Sequence, residues 1–127
     1  MAPVVVGLGG ALGAIARYYA TDLVRALAGD SLPWGTFAVN IVGSFAIGFG
    51  LVWLQAMAPS AQARQLVIIG FLGSFTTFST FSYEAVALFR AGEIWRAGGY
   101  AFGSVLIGIA AVLLGAQIAI ALTQAEV

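Results

Sequence analysis

Histidine, cysteine and lysine are absent from this chain of 127 residues, and only 8% of its residues are charged. Without cysteine there is no disulfide, no thiol nucleophile and no thiolate metal site. Without histidine the commonest general base and metal ligand is missing. The acids are too few and too scattered to build a nucleophile–base pair, so the composition speaks against an enzyme. The five basic residues are Arg17, Arg25, Arg64, Arg90 and Arg96, and they form no patch or stripe. Nucleic acid is therefore not an expected partner. What the chain has instead is apolar: 61% hydrophobic residues and a mean hydropathy of +1.03. A soluble domain carries roughly a quarter charged residues. The expected class is an integral membrane protein, with lipid as its surroundings.

Four apolar stretches are long enough to cross a bilayer, which takes about 20 helical residues. They run over about residues 3–27, 34–57, 66–89 and 97–122, and make residues 1–127 one membrane domain. The first has no charged n-region, and glycines and then Arg17 interrupt it, so it is expected to be a retained span and not a cleaved signal. A polar region with Asp22, Arg25, Asp30 and Ser31 follows. Pro33 suits a first helical turn and Trp34 the membrane interface. The loop Ala58 to Gln65 contains Pro59 and Arg64, and the next holds Arg90, Glu93, Trp95 and Arg96. The expected fold is all-α, a four-transmembrane-helix bundle. The loops are too short for an active site, which puts function inside the membrane. One small bundle does not readily enclose both a wet path and its own packing, so an oligomer is expected with its functional surface at the interface. Gly9 with Gly13, and Gly99 with Gly103, are small-xxx-small pairs that predict close helix packing. Arg25, Arg90 and Arg96 share one side against Arg64 on the other, a slight positive-inside bias compatible with one orientation or with both.

The stretch Gly70 to Glu84, GFLGSFTTFSTFSYE, is the most informative. It sets the hydroxyls of Ser74, Thr76, Thr77, Ser79, Thr80 and Ser82 among Phe75, Phe78 and Phe81, in the middle of a span. Polar groups there are costly unless they have partners or line a wet path. Back-bonding to the i−4 carbonyl accounts for one or two such hydroxyls, not for six. Phe71, Phe75 and Phe78 share one face of a continuous helix and read as a packing stripe. Beside hydroxyls, their positive ring edges also suit a small anion. Gly73 to Thr77 carries residues that disfavour helix, so the third helix is expected to break there and free carbonyls of the kind that bind Na⁺.

Asn40 sits alone in an apolar helix, FAVNIVGSF. It either makes an interhelical hydrogen bond or donates to an anion. Arg17 and Glu84 are the charges at membrane depth. Arg17 either snorkels or caps carbonyls of a broken helix, and Glu84 marks a pathway mouth or a structural contact. Tyr100, Ser104 and Gly108 form a narrow polar-to-small stripe on the fourth span.

At these residues the sequence resembles the CrcB/Fluc family of fluoride channels. The likeness runs through GGALGAIARY (Gly9 to Tyr18), WGTFAVNIVGS (Trp34 to Ser44), GFLGSFTTFSTFSYE and YAFGS (Tyr100 to Ser104), across all four spans in order. The resemblance implies an antiparallel dual-topology homodimer with two fluoride pores along its interface. It implies a structural Na⁺ on the two-fold axis, held by main-chain carbonyls of Gly73 and Thr76. It assigns the pore phenylalanines to Phe78 and Phe81 and the pore asparagine to Asn40. Its hydroxyl track falls on Ser79, Thr80, Ser82, Tyr100 and Ser104, with Arg17 and Glu84 matching the family's charged positions. It implies passive fluoride export across a bacterial inner membrane. Ser74 and Phe75 depart from a Gly-Leu pair in some relatives, and Gly108 stands where some carry a further serine.

Two rivals make different predictions. A proton-coupled exporter of the small multidrug-resistance type is also a four-span dimer. It relies on a first-span glutamate, where this chain has Arg17 and no acid before Asp22. A non-transporting scaffold subunit predicts that Phe78→Ile alters stability and not flux.

Overall fold

The computed structural model describes residues 2–57 and 60–124. Ala58 and Pro59 of the second loop, Met1 and the end of the polar tail lie outside the described residues. Among the described residues four helical stretches are long and apolar enough to cross a membrane: Ala2–Ala28, Trp34–Ala56, Ala61–Arg90 and Ile94–Gln124. The first and second are the continuous helices α1 (Ala2–Ala28) and α2 (Trp34–Ala56). The third is composite: α3 (Ala61–Arg64), a π-helical segment (Gln65–Leu72), α4 (Gly73–Phe75) and α5 (Phe78–Arg90). The fourth is α6 (Ile94–Gln124).

The ends follow from local chemistry. Gly29 adopts φ 77° and returns its N–H to the Arg25 carbonyl, which closes α1. Gly92 adopts φ 80° after α5, with Gly92 N–H on Phe89 O and Glu93 N–H on Leu88 O, the paired closure of a Schellman motif. Asp22 and Arg25, expected in a polar loop region, lie on the last turns of α1. Ser60 accepts from the Ala63 N–H, so the third span starts at Ala61, ahead of the apolar run that begins at Leu66.

Two close helix pairings hold the bundle, α2 with α6 and α1 with the π-helical segment. Both depend on backbone meeting backbone. A Cβ built on Gly48 would lie 2.1 Å from Val112 O, and one on Gly115 2.2 Å from Phe45 O. Across the other pairing, a Cβ on Gly9 would lie 2.2 Å from Leu66 O, and one on Gly13 2.1 Å from Phe71 O. The first small-residue pair thus packs tightly. Gly99 and Gly103 do not: nothing lies within 4 Å of a Cβ at either position, because α6 turns that face away from the other helices. The outer surface is a belt of large apolar side chains, including Leu12, Leu23, Leu106 and Leu113, as a lipid-facing bundle requires.

Candidate functional site

Thr76 and Thr77 are extended, with φ, ψ of −81°, 157° and −147°, 115°. β-Branched residues lose little in that conformation, and a threonine hydroxyl can cap the helix that follows. The Thr77 hydroxyl does so, accepting from the Thr80 N–H at 3.3 Å and donating to Thr80 Oγ1 at 3.0 Å. It also lies 3.5 Å from Ser79 Oγ, either atom being the donor. Phe78 therefore opens a new helix. It does not continue the stripe of Phe71 and Phe75, whose rings stack at 6.0 Å, because two extended residues intervene. Phe78 pairs instead with Phe81, ring centroids 5.8 Å apart, and Phe81 with Tyr100 at 5.3 Å.

Asn40 from α2 faces the interruption. Its Nδ2 donates to Thr77 O at 3.0 Å, and its Oδ1 accepts from Thr77 N–H at 2.8 Å. The amide oxygen thus replaces the helical partner that the Thr77 N–H loses at the interruption, and the amide nitrogen adds a second bond to the carbonyl that begins α5. One amide hydrogen remains after these two bonds. Arg17 from α1 reaches the same place, donating from Nη1 to Thr76 O at 3.4 Å. Of its two expected roles, it takes that of a carbonyl cap. Gly73 and Thr76 are both released from regular helix pairing here. The Thr77 N–H that would bond Gly73 O turns to Asn40, and the Thr80 N–H that would bond Thr76 O turns to Thr77.

A second polar cluster joins α5 to α2 and α6. Glu84 receives Thr36 Oγ1 on Oε1 at 2.8 Å and the Tyr100 hydroxyl on Oε2 at 2.7 Å. Thr36 and Tyr100 are 4% and 6% exposed, so the carboxylate satisfies two buried hydroxyls at once. A cavity of about 540 Å³ opens above it, lined among others by Thr21, Arg25, Trp34, Thr36, Glu84 and Arg96. At its outer side Arg25 pairs with Asp30 at 2.5 Å, and Arg96 pairs with Glu93 and donates to Ser31 O.

The remaining hydroxyls divide by what they already hold. Ser82 donates to Phe78 O at 2.9 Å and Thr76 to Leu72 O at 3.2 Å, both i−4 back-bonds. Ser104 Oγ is buried and has no partner. Ser79, Thr80 and Phe78 lie on an open face, Phe78 78% exposed. Phe78, Phe81, Ser79, Thr80, Asn40, Gly73, Thr76 and Arg17 thus meet around one interruption. Tyr100 and Glu84 form the neighbouring cluster, and Ser104 lies one turn along α6. Thr36 was not singled out by the sequence, although it lies one turn before Asn40 on the same helical face. Thr77 stood only as one hydroxyl among six, and nothing in the sequence marks its backbone as the partner of Asn40.

Residues 4–116 match the family model described as CrcB-like protein, Camphor Resistance (CrcB). The chain is 45% identical over 113 residues to the fluoride-specific ion channel FluC of Rhizobium johnstonii, covering 88% of this chain and 90% of that one. It is 46% identical over 110 residues to the fluoride-specific ion channel FluC of Thermus thermophilus, covering 87% and 88% respectively. A third relative of that name, from Opitutus terrae, is 45% identical over 123 residues, or 94% of this chain and 92% of that one.

Proposed function

This chain belongs to the CrcB family, and from that membership we propose that it is a fluoride-selective channel carrying the anion passively out of the cell. The observation that carries the reading is the open face at the Thr76–Thr77 interruption. Hydroxyls and ring edges gather there inside a membrane span, with Phe78 and Phe81 paired beside them. Fluoride is small and strongly hydrated, so it enters a dry path only where donors replace its water. The free amide hydrogen of Asn40 and the hydroxyls of Ser79 and Thr80 are such donors. The positive edges of Phe78 and Phe81 add weaker contacts. Ser82 joins this track only by giving up its bond to Phe78 O, and Tyr100 only by leaving Glu84. Ser104 needs no such exchange.

The functional unit in this reading is a homodimer. Phe78, at 78% exposed, cannot wall a selective path alone, and neither can Ser79 or Thr80. A second copy against α5 would enclose them. The arginine bias, three against one, is compatible with both orientations, and antiparallel packing in a bacterial inner membrane rests on the family resemblance. A structural Na⁺ fits the interruption, because the carbonyls of Gly73 and Thr76 are released from helix pairing and carbonyl oxygens suit a hard cation. When bound, the ion would supply positive charge at mid-membrane, where screening is poor. Arg17 shares the Thr76 carbonyl and holds α1 to the same point. Export by conduction would clear fluoride that enters as HF and dissociates in the cytoplasm.

The test is efflux from liposomes holding the purified protein, read with a fluoride electrode, with chloride as the control ion and a K⁺ ionophore as trigger. Rapid fluoride loss without chloride loss, indifferent to a pH gradient, is the expected result. A fluoride flux that requires a pH gradient would point to a coupled exporter. No flux from folded protein would refute the channel.

A further inference from the structure

Two polar stripes run side by side in this bundle. On α2, Thr36, Asn40 and Ser44 recur at every fourth residue; on α6, Tyr100, Ser104 and Gly108 do the same. The two helices are parallel and in register. Thr36 and Tyr100 meet on opposite oxygens of Glu84. Ser44 Oγ lies 3.6 Å from where a Cβ on Gly108 would stand, and Val112 O lies against Gly48. Each of these pairs has the same separation of 64 positions, which puts Ser104 at the level of Asn40.

Ser104 is unusual among the hydroxyls of this bundle. Thr76, Ser82 and Thr123 each return their proton to a carbonyl of their own helix. Ser104 Oγ is buried and does not. A dry hydroxyl without a partner is costly, and one held free next to a polar rung is a donor awaiting a ligand. Beyond it α6 offers nothing, since residue 108 is glycine. The next hydroxyl at that level is Ser44, and it faces the notch which Gly108 leaves. The step from one rung to the next is about 6 Å, four residues of helix rise, a short passage for an ion that must exchange donors.

Resting on the channel reading above, we propose that Ser44 is a further hydroxyl of the fluoride path, contributed by α2 where α6 lacks one. In this arrangement Ser104 and Ser44 donate in turn to a partly dehydrated fluoride. Neither step makes or breaks a covalent bond. Gly108 supplies the space and Ser44 the chemistry.

Fluoride efflux from liposomes tests this with Ser44→Ala and the double variant Ser44→Ala/Gly108→Ser. The single variant is expected to slow efflux roughly tenfold, the effect of one lost hydrogen bond to an anion. The double variant returns a hydroxyl to the rung from the other helix. The 3.6 Å clearance at Gly108 admits its Cβ, and efflux is expected to recover to within about threefold of wild type. A role in packing alone predicts no such rescue. Wild-type efflux in Ser44→Ala, or a double variant as slow as the single one, would overturn the assignment. Should the alanine variant not fold, Ser44→Cys keeps the shape with a weaker donor. Slower efflux is then expected, and an unchanged rate overturns the proposal. If wild-type protein passes no fluoride at all, the channel reading fails and this assignment with it, an outcome distinct from any difference between variants.

Discussion

Replacing Asn40 by alanine removes both hydrogen bonds that hold the Thr77 backbone, at 3.0 and 2.8 Å. Two limits bound the cost. Interhelical hydrogen bonds in membrane proteins average about 0.6 kcal/mol, which gives about 1 kcal/mol for the pair. A buried backbone group left unpaired costs about 1–3 kcal/mol, and the Thr77 N–H is the one group so left, which sets an upper limit near 3 kcal/mol. Thr77 is only 9% exposed; as the N-cap of α5 its C=O keeps the first helical bond, but its N–H has no helical neighbour ready to replace Asn40. The larger effect wins, and Asn40→Ala is expected to lose about 1–3 kcal/mol of stability. Flux is expected to fall by at least tenfold, because the residues that begin α5 lose their register. Asn40→Asp separates the two bonds. It keeps an acceptor for Thr77 N–H but, when ionised, turns a second acceptor toward Thr77 O and adds negative charge beside an anion path. Its flux loss should be at least as large as that of Asn40→Ala. Detergent unfolding and liposome efflux, measured on the same preparations, read the two effects. Asn40→Ala with stability within about 0.5 kcal/mol of wild type and unchanged efflux would show that the interruption needs no amide partner.

Phe78→Ile is expected to abolish fluoride efflux while changing the stability of the single chain by less than about 1 kcal/mol, since the ring is 78% exposed; normal efflux would remove Phe78 from the path. Glu84→Ala leaves the hydroxyls of Thr36 and Tyr100 without their acceptor and should cost about 2–4 kcal/mol in an unfolding titration. Glu84→Gln keeps one acceptor and should cost less, and equal losses in the two variants would refute the shared-acceptor account. Gly48→Val drives a Cβ into Val112 O and should destabilise by about 3 kcal/mol or more, whereas Gly99→Ala, with open space around it, should be nearly neutral in monomer unfolding. Equal costs at the two glycines would contradict the packing described for α2 and α6.

The four spans were legible because the apolar runs are long and, apart from Arg17 and Glu84, their charges sit near the ends. Gly73 to Thr77 likewise announced a weak point, through residues that compete with helical bonding. What a linear reading could not supply was the partner of each polar group. Asn40 had two open roles, and which hydrogen it spends depends on α5 lying across α2, a contact 37 residues away in the chain. The Phe71, Phe75, Phe78 stripe assumed an unbroken helix and dissolved once two residues became extended. The Gly99–Gly103 pair had the right spacing for packing but lies on the wrong face of α6. The π-helical segment has no comparable sequence signal. It lies where α1 brings Gly9 and Gly13 to backbone contact, a tertiary event.

The polar groups of this chain fall into two sets, and the difference between them explains where function resides. Asn40, Arg17, Thr36, Tyr100 and Glu84 find partners within the bundle, so their burial is compatible with a single folded chain. Ser79 and Thr80 lie on an open face beside Phe78, while Ser104 is buried with its hydroxyl free. Lipid cannot satisfy either kind, because hydrocarbon offers no acceptor and no water. Pairing them all internally would lower their cost but would also spend every donor a passing anion needs. Leaving them free costs stability unless another copy keeps lipid away and an ion or water takes up the bonds. A conducting path in so short a chain therefore demands both an interface and a few hydroxyls kept deliberately short of partners. Among the described residues, the Ser104 hydroxyl is the one such oxygen that the bundle already encloses.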